Sequence, residues 1–166
     1  MKNIILILTL LVFYKGFACT CKSKTFTEWQ KFERENAELI FVGEVVHIHK
    51  SYNTFKIKVI EPLKGNIDNG QILTGKNWLY CHPFVSEKGK WIVYGRLEGE
   101  ILKLNMCGIS RPFDKPITIT GAHTPPHPKS NPKNKKKVKA YITKALKDLD
   151  LELKALRAMR KKKPIQ

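Results

Sequence analysis

Four cysteines constrain this chain of 166 residues more strongly than any other feature of its sequence. Cys19 and Cys21 are two residues apart, so in an extended segment their side chains project to the same side. They cannot bridge each other without severe strain, which leaves Cys81 and Cys107 as partners. Spacing does not distinguish Cys19–Cys81 with Cys21–Cys107 from the crossed pairing. Each bridge would close a loop of about 60 to 90 residues, worth around 4 kcal/mol in the chain-entropy model.

The first 18 residues have the pattern of a cleaved signal peptide. Lys2 provides a positive start, and residues 4–14 form an apolar run that is too short to span a bilayer comfortably. Gly16-Phe17-Ala18 then offers the small-x-small pattern that a signal peptidase cuts. We therefore predict a secreted protein, extracellular or periplasmic, whose mature chain begins at Cys19.

A cysteine directly after a signal sequence also raises the alternative of a lipoprotein anchored at Cys19. Two features disfavour it. Gly16 occupies the position where a lipoprotein signal usually has a leucine-like residue. Lipidation would also consume the Cys19 thiol and leave three cysteines, an odd number for an oxidising compartment.

Residues 25 to 104 predict one helix followed by five short strands. Thr25 and Glu28 fit a capping box, and an apolar stripe at helical spacing continues through about Asn36. Glu98-Gly99-Glu100 has the composition of a hairpin turn. Segments rich in β-branched residues or alternating in polarity predict strands at 39–49, 55–59, 71–74, 91–97 and 101–104. This pattern is typical of a mainly β fold, a small closed or partly closed barrel.

The C-terminal segment differs from the body in charge. Residues 122–166 carry 14 basic and 3 acidic residues, out of a net charge of +17 for the whole chain. Prolines and lysines at 114–137 predict an irregular linker, and apolar residues at helical spacing predict a basic amphipathic helix at 138–163. Lysine clusters then predict electrostatic binding to a polyanion, either a glycan or an acidic lipid. The lysines proposed for this contact are Lys135, Lys136, Lys137, Lys161, Lys162 and Lys163.

Other side chains offer weaker signals for chemistry. His47 and His49 share one face of a strand, where a solvent-facing pair is favoured over a metal site. His82 could bind a metal only beside a free Cys81 thiol, and His123 and His127 lie in the proline linker. We find no catalytic triad, paired carboxylates or phosphate-binding glycine loop. The sequence thus predicts no enzyme, no cofactor and no metal ion of its own.

Several motifs together resemble the tissue inhibitors of metalloproteinases (TIMPs) and the wider netrin-like superfamily. The most specific is Cys19-Thr20-Cys21 at the mature N-terminus combined with Cys81 and Cys107. Further matching segments lie at 41–45, 55–59, 63–65 and 89–94, so the resemblance covers about residues 19 to 113. It implies an OB-type five-stranded barrel with bridges Cys19–Cys81 and Cys21–Cys107.

The resemblance also implies a function. In a TIMP-like protein the α-amine and carbonyl of Cys19 would chelate the catalytic zinc of a target metalloendopeptidase of the metzincin type, and Thr20 would enter the protease pocket. The chain departs from the family in having no third disulfide in this domain, no cysteine-rich C-terminal domain, and Lys22-Ser23 where small apolar residues and proline are usual.

Two functions from different classes follow. One is a secreted metalloprotease inhibitor that acts through Cys19 and Thr20. The other is a non-inhibitory extracellular binding module whose barrel is a scaffold and whose basic tail binds a polyanion. A disulfide-bonded secreted barrel is not expected to bind intracellular nucleic acid.

Overall fold

A computed structural model describes residues 21, 24–78, 82–117 and 132–162, with side chains of the last segment from 136 to 161. Helix α1 (Phe26–Asn36) comes first and is followed by strand β1 (Leu39–His49). A 3-10 turn (Lys50–Tyr52) leads into β2 (Thr54–Lys64). The remaining elements are β3 (Ile72–Lys76), β4 (Gly89–Glu98), β5 (Ile101–Leu104), β6 (Arg111–Pro112) and α2 (Pro132–Lys162).

Strands β1 to β5 form a closed barrel in the order β1-β2-β3-β5-β4, with β4 pairing back to β1. The β3–β5 pairing is parallel and the others are antiparallel. This is the five-stranded Greek-key arrangement of an OB-type barrel, so the predicted fold class is confirmed. The short strand β6, which the sequence did not predict, adds to β4 outside the barrel.

Closure depends on the bending of β1, which pairs with β2 along one edge and with β4 along the other. Its register against β2 shifts at three places, between Ile40 and Phe41, between Val42 and Gly43, and between Val45 and His47. Such irregularities increase local twist and coil a strand around a barrel. On the opposite wall, a Cβ at Gly75 would lie 2.1 Å from the Phe55 ring, so only glycine fits there.

Two apolar clusters hold the molecule together. The first fills the barrel interior and includes Phe41, Phe55, Ile57, Trp91 and Leu102. The second lies between the outer surface of the barrel and the two helices. It contains Trp29 of α1, Leu149, Leu153 and Leu156 of α2, and Ile40, Val42, Ile92 and Tyr94 of the barrel.

Helix α2 corrects the predicted boundary of the tail. It begins at Pro132, not at Val138, so residues 132–137 are helical and do not belong to a linker. Proline is well tolerated in the first turn of a helix, because its missing N–H would have no intrahelical partner there. The predicted stripe is buried at Leu149, Leu153 and Leu156, whereas its last member, Met159, is 49% exposed. The second half of α2 thus packs on the barrel.

Candidate functional site

The Cys21–Cys107 disulfide ties the start of the described chain to the turn that follows β5. Its Cα atoms are 5.6 Å apart, and it joins residues 86 positions apart in sequence. This pairing is the one that the resemblance implied, and it excludes the crossed alternative. Cys19, Thr20 and Cys81 lie outside the described residues, so Cys19–Cys81 stays a prediction.

The turn that carries Cys107 is itself firmly held. The Cys107 backbone N–H donates to the carbonyl of His82 at 2.8 Å, which connects it to the residue after Cys81. Glu33 of α1 accepts a hydrogen bond from the side chain of Asn105 in the same turn. A Cβ at Gly108 would lie 2.3 Å from the Glu33 carboxylate, so glycine is required for this close approach of the helix. The turn at Cys107 is therefore joined to three other segments, namely the chain at Cys21, the chain at His82 and helix α1.

A capping box fixes the chain on the other side of Cys21. The Thr25 backbone N–H donates to the Glu28 carboxylate at 2.6 Å, and the Glu28 N–H donates to the Thr25 hydroxyl at 3.3 Å. The Thr25 backbone N–H and hydroxyl hold the pKa of Glu28 below its usual value. The Lys24 ammonium lies 3.7 Å from the centre of the Phe32 ring. The chain is thus held at Cys21 by the disulfide and again at Thr25 by the capping box.

Beside the anchor lies a cavity of about 250 Å³ that reaches from His82 to the β6 edge. Residues on either side of Val85 line it, and the Val85 backbone makes two hydrogen bonds with the Asn77 side chain, at 2.9 and 3.0 Å. Trp91 lines it, and the buried indole N–H of this side chain has no partner among the described residues. The volume falls below the roughly 300–1,000 Å³ of typical small-molecule sites.

A buried polar network joins α2 to the barrel. Arg111 donates to Glu152, and both side chains are only 1% exposed. The Tyr94 hydroxyl donates to the same carboxylate, and burial raises the pKa of Tyr94 well above its usual value. Gln30 of α1 donates to Glu152 at 3.1 Å, so the carboxylate links both helices to β4 and β6.

The sequence did not predict this network. Glu33 lies at helical spacing from Trp29 in α1, and both side chains are buried. One signal for Glu152 was present, because it lies in the helix stripe between Leu149 and Leu156 at positions that face the core. No signal identified Arg111, since its burial depends on contacts with residues distant in sequence.

The histidines of the described segments do not join a metal-binding cluster. The His47 and His49 rings are 6.2 Å apart and both side chains are exposed, with Tyr52 packed beside His49. Within the described part of the chain, no group of three or more His, Cys, Asp or Glu residues could hold a metal ion. His82 is exposed, and His123 and His127 fall outside the described residues.

The predicted polyanion contacts lie at the two ends of α2. Lys136, Lys137 and Lys161 are exposed. Lys135 and Lys162 belong to the helix, but their side chains are not among those described, and Lys163 lies outside the described residues. No helix in the described segments is both long and apolar enough to cross a bilayer.

No family model matches the sequence, and no curated protein does either. The features that bear on function are therefore the sequence motifs and the Cys21–Cys107 anchor.

Proposed function

We propose that this protein is a secreted, non-enzymatic inhibitor of zinc metalloproteases, similar to the TIMPs, that acts through the amine and carbonyl of Cys19. The observation that carries the proposal is the Cys21–Cys107 disulfide, which anchors the chain two residues after the predicted mature N-terminus. With cleavage after Ala18, the free amine lies within about 7 Å of the Cys21 Cα atom, the reach of two extended residues.

The chemistry of an N-terminal residue suits this role. A catalytic zinc has three protein ligands and an open position that holds the nucleophilic water. An α-amine, which loses its proton on binding metal, and the carbonyl of the same residue form a five-membered chelate. A chelate at the open position displaces the water and stops hydrolysis.

Anchoring decides how tightly such a chelator binds. A flexible N-terminus would lose conformational entropy on entering a protease cleft, and this cost weakens association. Here the disulfide at Cys21 and the capping box at Thr25 hold the chain shortly after Cys19, and we propose that this limits the freedom of the N-terminus before binding. The barrel therefore serves as the rigid support for a short inhibitory segment, and Thr20 would contact the pocket beside the zinc.

The test compares the wild-type protein with a form that carries one extra alanine before Cys19, against a panel of metzincin-type proteases. The added residue keeps every side chain and both bridges, but it moves the free amine and turns the Cys19 nitrogen into an amide. We expect inhibition to fall by at least about a hundredfold, because a lost metal bond costs several kcal/mol and about 1.4 kcal/mol is tenfold. Thr20→Gly is the matched control and should weaken inhibition less, since it keeps the chelate.

Intact mass and non-reducing peptide mapping accompany this assay. They should show an N-terminus at Cys19 and the bridges Cys19–Cys81 and Cys21–Cys107. A diacylglyceryl group on Cys19 or a free Cys81 thiol would contradict the proposal. So would equal inhibition by the alanine-extended form, or no inhibition at micromolar concentration by protein with a confirmed free amine.

A further inference from the structure

Helix α2 presents a row of exposed lysines along its length. The row includes members of both predicted lysine clusters, the one at 135–137 and the one at 161–163. Its members are Lys136, Lys139, Lys144, Lys147, Lys154 and Lys161. From the first to the last, a helix rises about 38 Å.

The row lies on the side of α2 that faces away from the barrel. Lys147, Lys154 and Lys161 are spaced by seven residues, so they stay on one face and drift by only about 20° per step. The buried residues Leu149 and Leu156 lie roughly on the opposite side at about 100° per residue. Packing of the apolar face thus orients the lysines toward solvent.

Little negative charge offsets this row. Asp150 lies on the same side and pairs with Lys154 at 2.7 Å. Glu152 faces the barrel, where Arg111 neutralises it. Residues 133–147 contain seven lysines and no acidic residue, so the first half of α2 carries the greatest density of charge.

We propose that this lysine row binds an acidic polysaccharide, a linear chain that carries sulfate or carboxylate groups. A row of cations about 38 Å long fits an extended polyanion. Between the lysines of the first half, Ala140 and Thr143 form the floor of a shallow groove. Small side chains there leave room for a chain to lie along the helix.

The arrangement of apolar residues favours a polysaccharide over a membrane surface. An interfacial helix inserts one apolar face into the lipid headgroups. The apolar face of α2 is already packed against the barrel. Among the exposed apolar side chains, Tyr141 and Met159 fall on one side of the helix but five turns apart, whereas Leu146 and Leu151 fall about 140° and about 80° away from that side. They do not form a second face that could insert.

The test measures binding to heparin fragments by calorimetry at several salt concentrations. One variant replaces four lysines of the row, Lys136, Lys139, Lys147 and Lys161, with glutamine. The matched control replaces four exposed lysines of the barrel side, Lys56, Lys58, Lys76 and Lys88, and so removes the same charge. Circular dichroism checks that both variants keep the wild-type fold.

We expect the helix variant to bind at least about tenfold more weakly, with a shallower salt dependence, and the control about twofold or less. Equal weakening of the two variants would overturn the proposal, because net charge alone would then explain binding. Binding to phosphatidylserine-containing vesicles without binding to heparin would overturn it in favour of lipid. Protease inhibition does not enter this measurement, so its failure would leave the result intact.

Discussion

Arg111 and Glu152 show how a single buried pair sets the position of a helix. An isolated charge in this environment would cost several kcal/mol, so each residue depends on the other for a partner. The Tyr94 hydroxyl and Gln30 use further acceptor sites of the Glu152 carboxylate. Because these donors come from α1, β4 and β6, only one placement of α2 satisfies all of them. The pair therefore specifies geometry more than it adds stability.

Glu33 gives a pH-dependent prediction at the same scale. Burial raises the pKa of its carboxyl, and the charge of Glu152 acts in the same direction, while the Asn105 hydrogen bond and Lys24 oppose them. The folded state therefore holds its proton to higher pH than the unfolded state. The stabilisation that protonated Glu33 gives the folded state is complete below the pKa of Glu33 in the unfolded state. It is lost as pH rises through the higher pKa of Glu33 in the folded state.

Glu33→Gln removes that titration and keeps an acceptor for Asn105. We expect the stability of the wild type relative to Glu33→Gln to decline as pH rises from about 4 to about 7. Urea unfolding across this range measures it, with Glu35→Gln on the exposed side of α1 as the control for loss of one carboxyl. A constant difference between wild type and Glu33→Gln would contradict the prediction.

At the scale of elements, α1 is held at one end by a residue adjacent to it in sequence and at the other end by a residue distant in sequence. Its first turn is capped by Thr25, whereas its last carbonyls accept hydrogen bonds from the Lys64 ammonium of β2, at 2.9 Å for Arg34 and 3.2 Å for Glu35. A cation there also suits the negative end of the helix dipole. The capping box was predictable from local sequence, but the lysine cap required the barrel to bring β2 beside the helix.

Helix α2 offers a comparison of Leu151 and Leu153, which are two residues apart and therefore face nearly opposite sides of the helix. Leu153 is 6% exposed and belongs to the outer cluster, while Leu151 is 54% exposed. Leu153→Ala should lower the free energy of unfolding by about 2–4 kcal/mol, because it leaves a cavity between helix and barrel. Leu151→Ala should change it by less than about 0.5 kcal/mol. Both variants change helix propensity equally, so the difference between them in denaturant unfolding measures the packing of Leu153 against the barrel. Equal effects of the two substitutions would mean that α2 is not docked in solution.

At the scale of the whole molecule, the predicted division into a barrel, a linker at 114–137 and a basic helix implies a tail that can be removed without unfolding the barrel. Burial of Leu149, Leu153 and Leu156 against the barrel predicts the opposite. A chain ending at Gly121 would expose Trp29 and Tyr94 and deprive Arg111 of its carboxylate partner. We expect it to lose cooperative unfolding or to aggregate.

A chain ending at Lys161 serves as the control, since it keeps every described contact of α2. Thermal unfolding followed by near-ultraviolet circular dichroism compares both with the full chain. If the chain ending at Gly121 unfolds at the wild-type midpoint, α2 is an appendage, as the sequence alone indicated.

The sequence by itself determined the local elements and their class. The capping box, the alternating segments and the Glu98-Gly99-Glu100 turn predicted α1, the five barrel strands and the β4–β5 hairpin, because these signals act between neighbours in the chain. The resemblance added the OB-type barrel and the Cys21–Cys107 bridge. Four cysteines alone left the pairing open, since spacing does not report distance in space.

Only the tertiary structure decided what the helices face. The parallel β3–β5 pairing, the short β6 strand and the burial of Arg111 with Glu152 depend on contacts between residues far apart in sequence. The same contacts dock the predicted basic helix on the barrel, with lysines on its outer side. An amphipathic pattern states that a helix has an apolar face, but it does not name the surface that covers it. In this protein that surface is the outside of its own barrel.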